Sequence, residues 1–144
     1  MGLDMYLYAA DEEYVEAVKK DVLSNYETSE TDAYYEKHGS PDYVYWRKAN
    51  MIHRYFCNNG ECIESQLYYV IHRNQLRKLC DLCRQVLADH EKAEEELPTQ
   101  SGFFFGSISY DEWYFQDIVY TLESLVLFLE KHDDQQTFLY YASW

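Results

Sequence analysis

The sequence predicts an α+β fold in which about four helices pack on a small sheet that includes the N- and C-terminal strands. Three observations carry this. Leu3-Asp4-Met5-Tyr6-Leu7-Tyr8 alternates with a period of two, the mark of a half-buried strand. The stretch Thr137 to Ser143 is aromatic and apolar and reads as a last strand that joins the same sheet. Between them, apolar residues recur at helical spacing, most clearly at Leu76, Leu79, Cys80, Cys83, Val86 and Leu87. A length of 144 residues, 47% hydrophobic and with only 5 Gly and 2 Pro, suits one domain over residues 1–144.

The elements follow in order. Asp11 opens a first helix, with Glu12 and Glu13 in the turn where the helix dipole favours acids and Val15, Val18 and Val22 as its apolar stripe. Residues 25–40 are polar and irregular and read as a loop. Ser40-Pro41 then predicts a second helix, with Ser as N-cap and Pro in the first turn. Trp46, Ala49, His53 and Phe56 fall on one face of it, and Asn58-Asn59-Gly60 ends it. Gln66 to Ile71 reads as a strand and Asn74 to His90 as a third helix. Pro98 stops the segment that follows. Ser101 to Ser107, Ser-Gly-Phe-Phe-Phe-Gly-Ser, is a short strand or a tight loop. Ser109 and Glu112 form a capping box for a fourth helix whose buried face is Trp113, Ile118, Leu122, Leu125 and Leu129.

Charge is unevenly placed. The net charge is −14, yet residues 43–84 hold 7 bases against 3 acids, while residues 1–42 hold 11 acids against 3 bases and residues 85–144 hold 12 against 2. The acidic arms argue against direct binding to nucleic acid or to an anionic membrane. The basic middle offers a local site for a small anion. The longest apolar stretch, Ile118 to Leu129, contains Glu123 and is too short to span a bilayer. The N-terminus carries an acid where a secretory leader carries positive charge. Together these point to the cytoplasm.

The densest polar-aromatic set lies in the basic middle. On the predicted second helix Trp46, Asn50, His53 and Arg54 are spaced i, i+4, i+7 and i+8, with Arg47 and Lys48 beside them. Arg and Lys neutralise phosphate or carboxylate, Asn pairs with an amide or base edge, and Trp stacks. Ser107, Tyr110 and Asp111 join them as candidate ligand-binding residues, and Gly102 and Gly106 would let backbone approach a ligand. The opposing reading makes Trp46 and His53 core and pairs the bases with the acidic arms. Asp111 and Glu112 are in turn explained by the helix start. Cys57-x4-Cys62 and Cys80-x2-Cys83 have the look of zinc pairs, but Cys80 and Cys83 lie mid-helix on an apolar face, where cysteine acts as a small hydrophobe, so no metal is expected. No cofactor is expected: the phosphate-binding glycine loops and the Gly-x-Ser-x-Gly elbow do not occur.

Residues 1–7 (Met-Gly-Leu-Asp-Met-Tyr-Leu), Tyr45-Trp46-Arg47-Lys48-Ala49-Asn50 with Ile52-His53, Leu97-Pro98-Thr99, Gly102 to Ser107 and Tyr110-Asp111-Glu112-Trp113-Tyr114 resemble a family of small proteins encoded by tailed phages and prophages. The resemblance spans nearly the whole chain, and its motifs mark the family more than a chemistry. Some members carry a phosphoglycerate kinase label; this chain is far too short for that two-domain enzyme and has no recognisable nucleotide loop. The resemblance implies an accessory protein acting in the bacterial host's cytoplasm. Three readings follow. The first is a binding protein for a small anionic, nucleotide-type ligand that sequesters a host defence signal. The second is an acidic inhibitor that mimics nucleic acid on a host protein. The third is a small hydrolase using His53 with Asp111 or Glu112.

Overall fold

The structure is a computed structural model that describes residues 2–64 and 67–144. The first strand, β1 (Asp4–Ala9), sends Met5 and Leu7 inward, as the alternation predicts. Helix α1 (Glu12–Leu23) is capped by the Asp11 side chain, which accepts from the Tyr14 amide at 2.8 Å. Helix α2 (Glu30–His38) follows, then β2 (Tyr43–Arg47), α3 (Asn50–Asn59), β3 (Glu61–Cys62), β4 (Tyr68–His72) and α4 (Arg73–Ala88). A 3-10 turn and the short α5 (Ala93–Glu96) lead to an irregular stretch, then α6 (Glu112–Lys131) and β5 (Thr137–Ser143). The described residues thus hold six α-helices, not about four, on one antiparallel sheet of order β2-β1-β5-β4-β3. The terminal strands lie side by side within it, as expected. No described helix is long and apolar enough to cross a membrane.

Three expectations are corrected. Residues 43–47 form strand β2, not the first turns of a helix. Val44 and Trp46 point in while Tyr43, Tyr45 and Arg47 point out, and pairing with β1 in register satisfies the backbone. The helix starts only after Lys48, whose φ of 56° turns the chain. Residues 30–38 form α2 although none of them is buried. Its start is held by Asp21, a carboxylate 4% exposed that accepts from the amides of Glu30 and Thr31 and the hydroxyls of Thr28 and Thr31 at 2.7–3.1 Å. Finally, Asp111, not Ser109, caps α6, accepting from the Tyr114 amide at 3.1 Å. Its buried face runs through Tyr114, Ile118, Thr121, Leu125 and Phe128, which leaves Trp113 exposed. The strand expected at 66–71 begins at Tyr68, and Gln66 lies outside the described residues.

The two faces of the sheet differ. Leu3, Met5, Leu7, Trp46, Ile71, Phe138 and Tyr140 pack with α3, α4 and α6 in the main core. On the other face Val70 and Leu139 pack with Val15 and Val18 of α1 in a smaller cluster. The strand register also sets four tyrosines in one transverse row on that second face. Tyr45 faces Tyr6, Tyr6 faces Tyr141, and Tyr141 faces Tyr68. Tyr43 and Tyr8 begin the next row. The rings of Tyr6 and Tyr141, and of Tyr141 and Tyr68, are stacked, with centroids 6.2 and 4.8 Å apart.

Candidate functional site

The residues of the basic middle do not share one face. Trp46 projects from β2 into the core, where its indole N–H donates to Thr121 Oγ1 at 2.9 Å. Arg47 alternates to the opposite side of the sheet and donates to Asp4 at 2.9 Å. Lys48 is exposed at the turn after β2, its amide donating to the Leu3 carbonyl. The helical spacing that joined Trp46 to Asn50, His53 and Arg54 therefore fails, because the chain changes from strand to helix between them.

Asn50 is buried and fully engaged. Its Nδ2 donates to the carbonyls of Phe105 and Ser107, and its Oδ1 accepts from the Gln100 amide, each at 3.0 Å. The side chain pins the aromatic loop to the start of α3. The loop is tight, with no strand in it. A Cβ at Gly102 would meet the Phe105 ring at 2.8 Å, and Gly106 has a φ of 85°. Packing and backbone geometry thus account for both glycines without a ligand. Ser107 is exposed, its hydroxyl accepting from the Ser109 amide, and the Tyr110 hydroxyl accepts from the Thr99 amide.

His53 faces the core. Its Nδ1 is 2.6 Å from the Tyr140 hydroxyl, and Phe105 and Trp144 meet its ring edge-on. Burial lowers its pKa to about 4, so the ring is neutral at physiological pH. Cys57 Sγ lies 3.5 Å from Nε2, a Cys-His pair on adjacent turns of α3. Burial raises the Cys57 thiol, with the Tyr69 hydroxyl opposing as a hydrogen-bond partner. A neutral imidazole beside a protonated thiol is not an activated nucleophile. Asp111 and Glu112 line another cavity, of about 710 Å³, with Leu87, His90, Tyr110 and Phe115, so the structure does not bring them to His53. Among the described residues, no three or more Cys, His, Asp or Glu side chains are grouped to hold a metal ion.

Arg54 is the one residue of the predicted set that faces a cavity with other cationic and amide groups. Its guanidinium is anchored by a bond from Nη1 to the Thr99 carbonyl at 3.0 Å. The cavity, about 270 Å³, lies between α3, α4 and the end of α5. Arg54 and Asn58 come from successive turns of α3, Lys78 from α4 and Glu96 from α5, with Met51, Tyr55, Leu82, Leu97 and Pro98 as apolar lining. Among the described residues Lys78 makes no ion pair or hydrogen bond, so its ammonium is available to a ligand. The volume is at the lower edge of small-molecule sites, roughly 300–1,000 Å³.

The sequence reading missed Lys78, Asn58 and Glu96. The pattern that points to Asn58 was present, since Arg54 and Asn58 are i, i+4 and share a face of any helix that covers both. Nothing local links Lys78 to Arg54, which meet only through the packing of α3, α4 and α5.

Comparison of the chain with protein-family models, with curated proteins and with solved structures found no match.

Proposed function

We propose that this protein binds a small anionic ligand of mononucleotide or sugar-phosphate size in the cavity between α3, α4 and α5. The supporting observation is the convergence of Arg54 and Lys78, from different helices, on one cavity whose lining, apart from Glu96, is otherwise apolar and amide. A guanidinium anchored at one nitrogen and an ammonium that is unpaired among the described residues suit a phosphate or carboxylate. Asn58 adds an amide, and the Glu96 carboxylate suits a ligand hydroxyl or amino group. Tyr55, Leu82 and Pro98 offer apolar area to a sugar or base. Of the residues expected from sequence, Arg54 stays in this reading; Trp46, Asn50 and His53 support the scaffold instead. The likeness to small tailed-phage proteins supplies a setting for it, the sequestering of a nucleotide-type defence signal in a bacterial cytoplasm.

The test is a thermal-shift and calorimetric panel of inorganic phosphate, 5′- and 3′-mononucleotides, cyclic nucleotides and sugar phosphates. Binding raises Tm with ligand concentration. Arg54→Ala and Lys78→Ala each abolish the rise while leaving the ligand-free fold intact. An unchanged Tm across the panel, or a rise that survives both substitutions, overturns the proposal.

A second reading, an acidic protein that engages a basic host partner, is favoured by the tyrosine rows on the outer sheet face.

A further inference from the structure

We infer that the outer face of β2, β1 and β5 is a docking surface for an arginine-rich segment of a partner protein. The inference does not depend on the cavity at Arg54. It starts from the register. Tyr45, Tyr6, Tyr141 and Tyr68 stand in one row across four neighbouring strands, and Tyr43 and Tyr8 extend the surface along β2 and β1. With strands roughly 4.8 Å apart the row is about 14 Å long, the reach of four or so extended residues.

Helix α1 covers the β4–β5 side of this face through Val15 and Val18. Tyr8 of β1 packs against the same cluster, whereas the β2 side is left open, so that Tyr43 is 51% exposed and Tyr45 is 36% exposed. A run of large aromatic side chains across several strands, only half covered, is unusual beside so small a core cluster. The edge of β2 is not the open feature, because Tyr120 of α6 donates to the Tyr45 carbonyl there. A partner would meet the ring faces rather than extend the sheet.

Charge selects the occupant. This face and its wall are built by β1, α1, α2 and β2, which lie within residues 4–47, together with β4 and β5, which hold no Asp, Glu, Lys or Arg; residues 1–42 carry 11 acids and 3 bases. On α2 and the turn before it, Glu27, Asp32 and Glu36 are exposed and, among the described residues, unpaired. A polyanionic strand is repelled by this excess of acids, while a cationic segment is attracted. Aromatic faces add a preference within the cations, since guanidinium stacks on a ring better than ammonium does. At the end of the row a carboxylate already holds a guanidinium and a tyrosine hydroxyl together, since Arg47 and Tyr45 both donate to Asp4.

The test uses fluorescein-labelled octa-arginine, octa-lysine and oligo-dT in fluorescence anisotropy with the full chain. Octa-arginine binds more tightly than octa-lysine, and oligo-dT does not bind. Replacing Tyr43 and Tyr45 together by Ser weakens octa-arginine binding by at least about tenfold, whereas replacing both by Phe, which keeps the rings, leaves it within about twofold. Far-UV circular dichroism of the Ser pair matches that of the unsubstituted chain. Equal binding of the two peptides that ignores the Ser pair, binding of oligo-dT in preference to octa-arginine, or no binding at all overturns the inference. Substituting Arg54 or Lys78 leaves these measurements unchanged, so failure of the cavity reading and failure of this one are told apart.

Discussion

The Tyr140 hydroxyl sits 2.6 Å from His53 Nδ1 at the centre of the core. Burial lowers the pKa of that imidazole to about 4, below the roughly 6.5 of an exposed histidine. The sign follows directly. An unfolded chain takes up a proton below pH 6.5 that the folded chain refuses, so the His53 contribution is present above pH 6.5 and is lost as pH falls toward 4. Urea denaturation as a function of pH should show this loss, at most about 3 kcal/mol. His53→Gln, which keeps an acceptor for Tyr140, should flatten that part of the profile. An NMR titration that finds His53 protonating near pH 6.5 contradicts the assignment.

Asn50 fastens the aromatic loop to the start of α3. Asn50→Ala strands the carbonyls of Phe105 and Ser107 and the amide of Gln100. The expected cost is about 2–4 kcal/mol, since buried groups lose partners together. Hydrogen exchange should rise first in residues 99–107. If exchange there is unchanged, the loop is held by other contacts.

Asp117 is half-buried on α6, and its carboxyl is pushed up to about 6 by burial and by the nearby Asp111. A folded pKa above the unfolded one means ionisation opposes folding, and that penalty grows as pH rises through 6. Asp117→Asn should therefore stabilise the protein by about 1–2 kcal/mol at pH 7.5 and by little at pH 4. A substitution that destabilises equally at both values would show that the carboxylate is needed for its contacts.

Asp21 governs α2. Desolvation opposes its charge, but bonds from Thr31, Glu30 and Thr28 outweigh it and leave its pKa below the ordinary value. Its contribution is thus present above the unfolded carboxyl pKa and lost as pH falls through the lower folded one. Asp21→Ala should melt residues 30–38 selectively, seen as lost helical circular dichroism and fast exchange there while the sheet stays protected. The cost to global stability is about 1–3 kcal/mol.

What was legible in the sequence follows from how local each cause is. β1 and β5 were readable because their alternation or aromatic run is self-contained, and α1 because Asp11 and the valine stripe mark it. α4 was readable for the same reason, and Cys80 and Cys83 lie buried on its apolar face, where burial pushes the Cys83 thiol up to about 12. Residues 43–47 misled because Trp46, His53 and Phe56 fit a helical period as well as Val44 and Trp46 fit a strand. Pairing with β1, which decides between them, is a long-range fact. α2 has no apolar stripe to read, because it is held by Asp21 and by tyrosine contacts such as the 3.0 Å bond between Tyr14 and Tyr35. Arg54 was identifiable as a candidate, but its cavity partners arise from three helices meeting. The tyrosine row was invisible for a related reason, since its members are spread from residue 6 to residue 141 and align only once the register is known.

The place of β5 between β1 and β4 sets the order of assembly. During synthesis the strands at 4–9 and 43–47 can pair early, and those at 61–62 and 68–72 can pair separately, but no strand bridges the two halves of the sheet until residues 137–143 have left the ribosome. Closing the sheet then fastens Asp4 to Ser143 across almost the full length of the chain, a slow and costly loop closure. A nascent protein of this kind carries two unfinished strand edges until residues 137–143 dock, and its demand on chaperones would be set by how fast that segment docks.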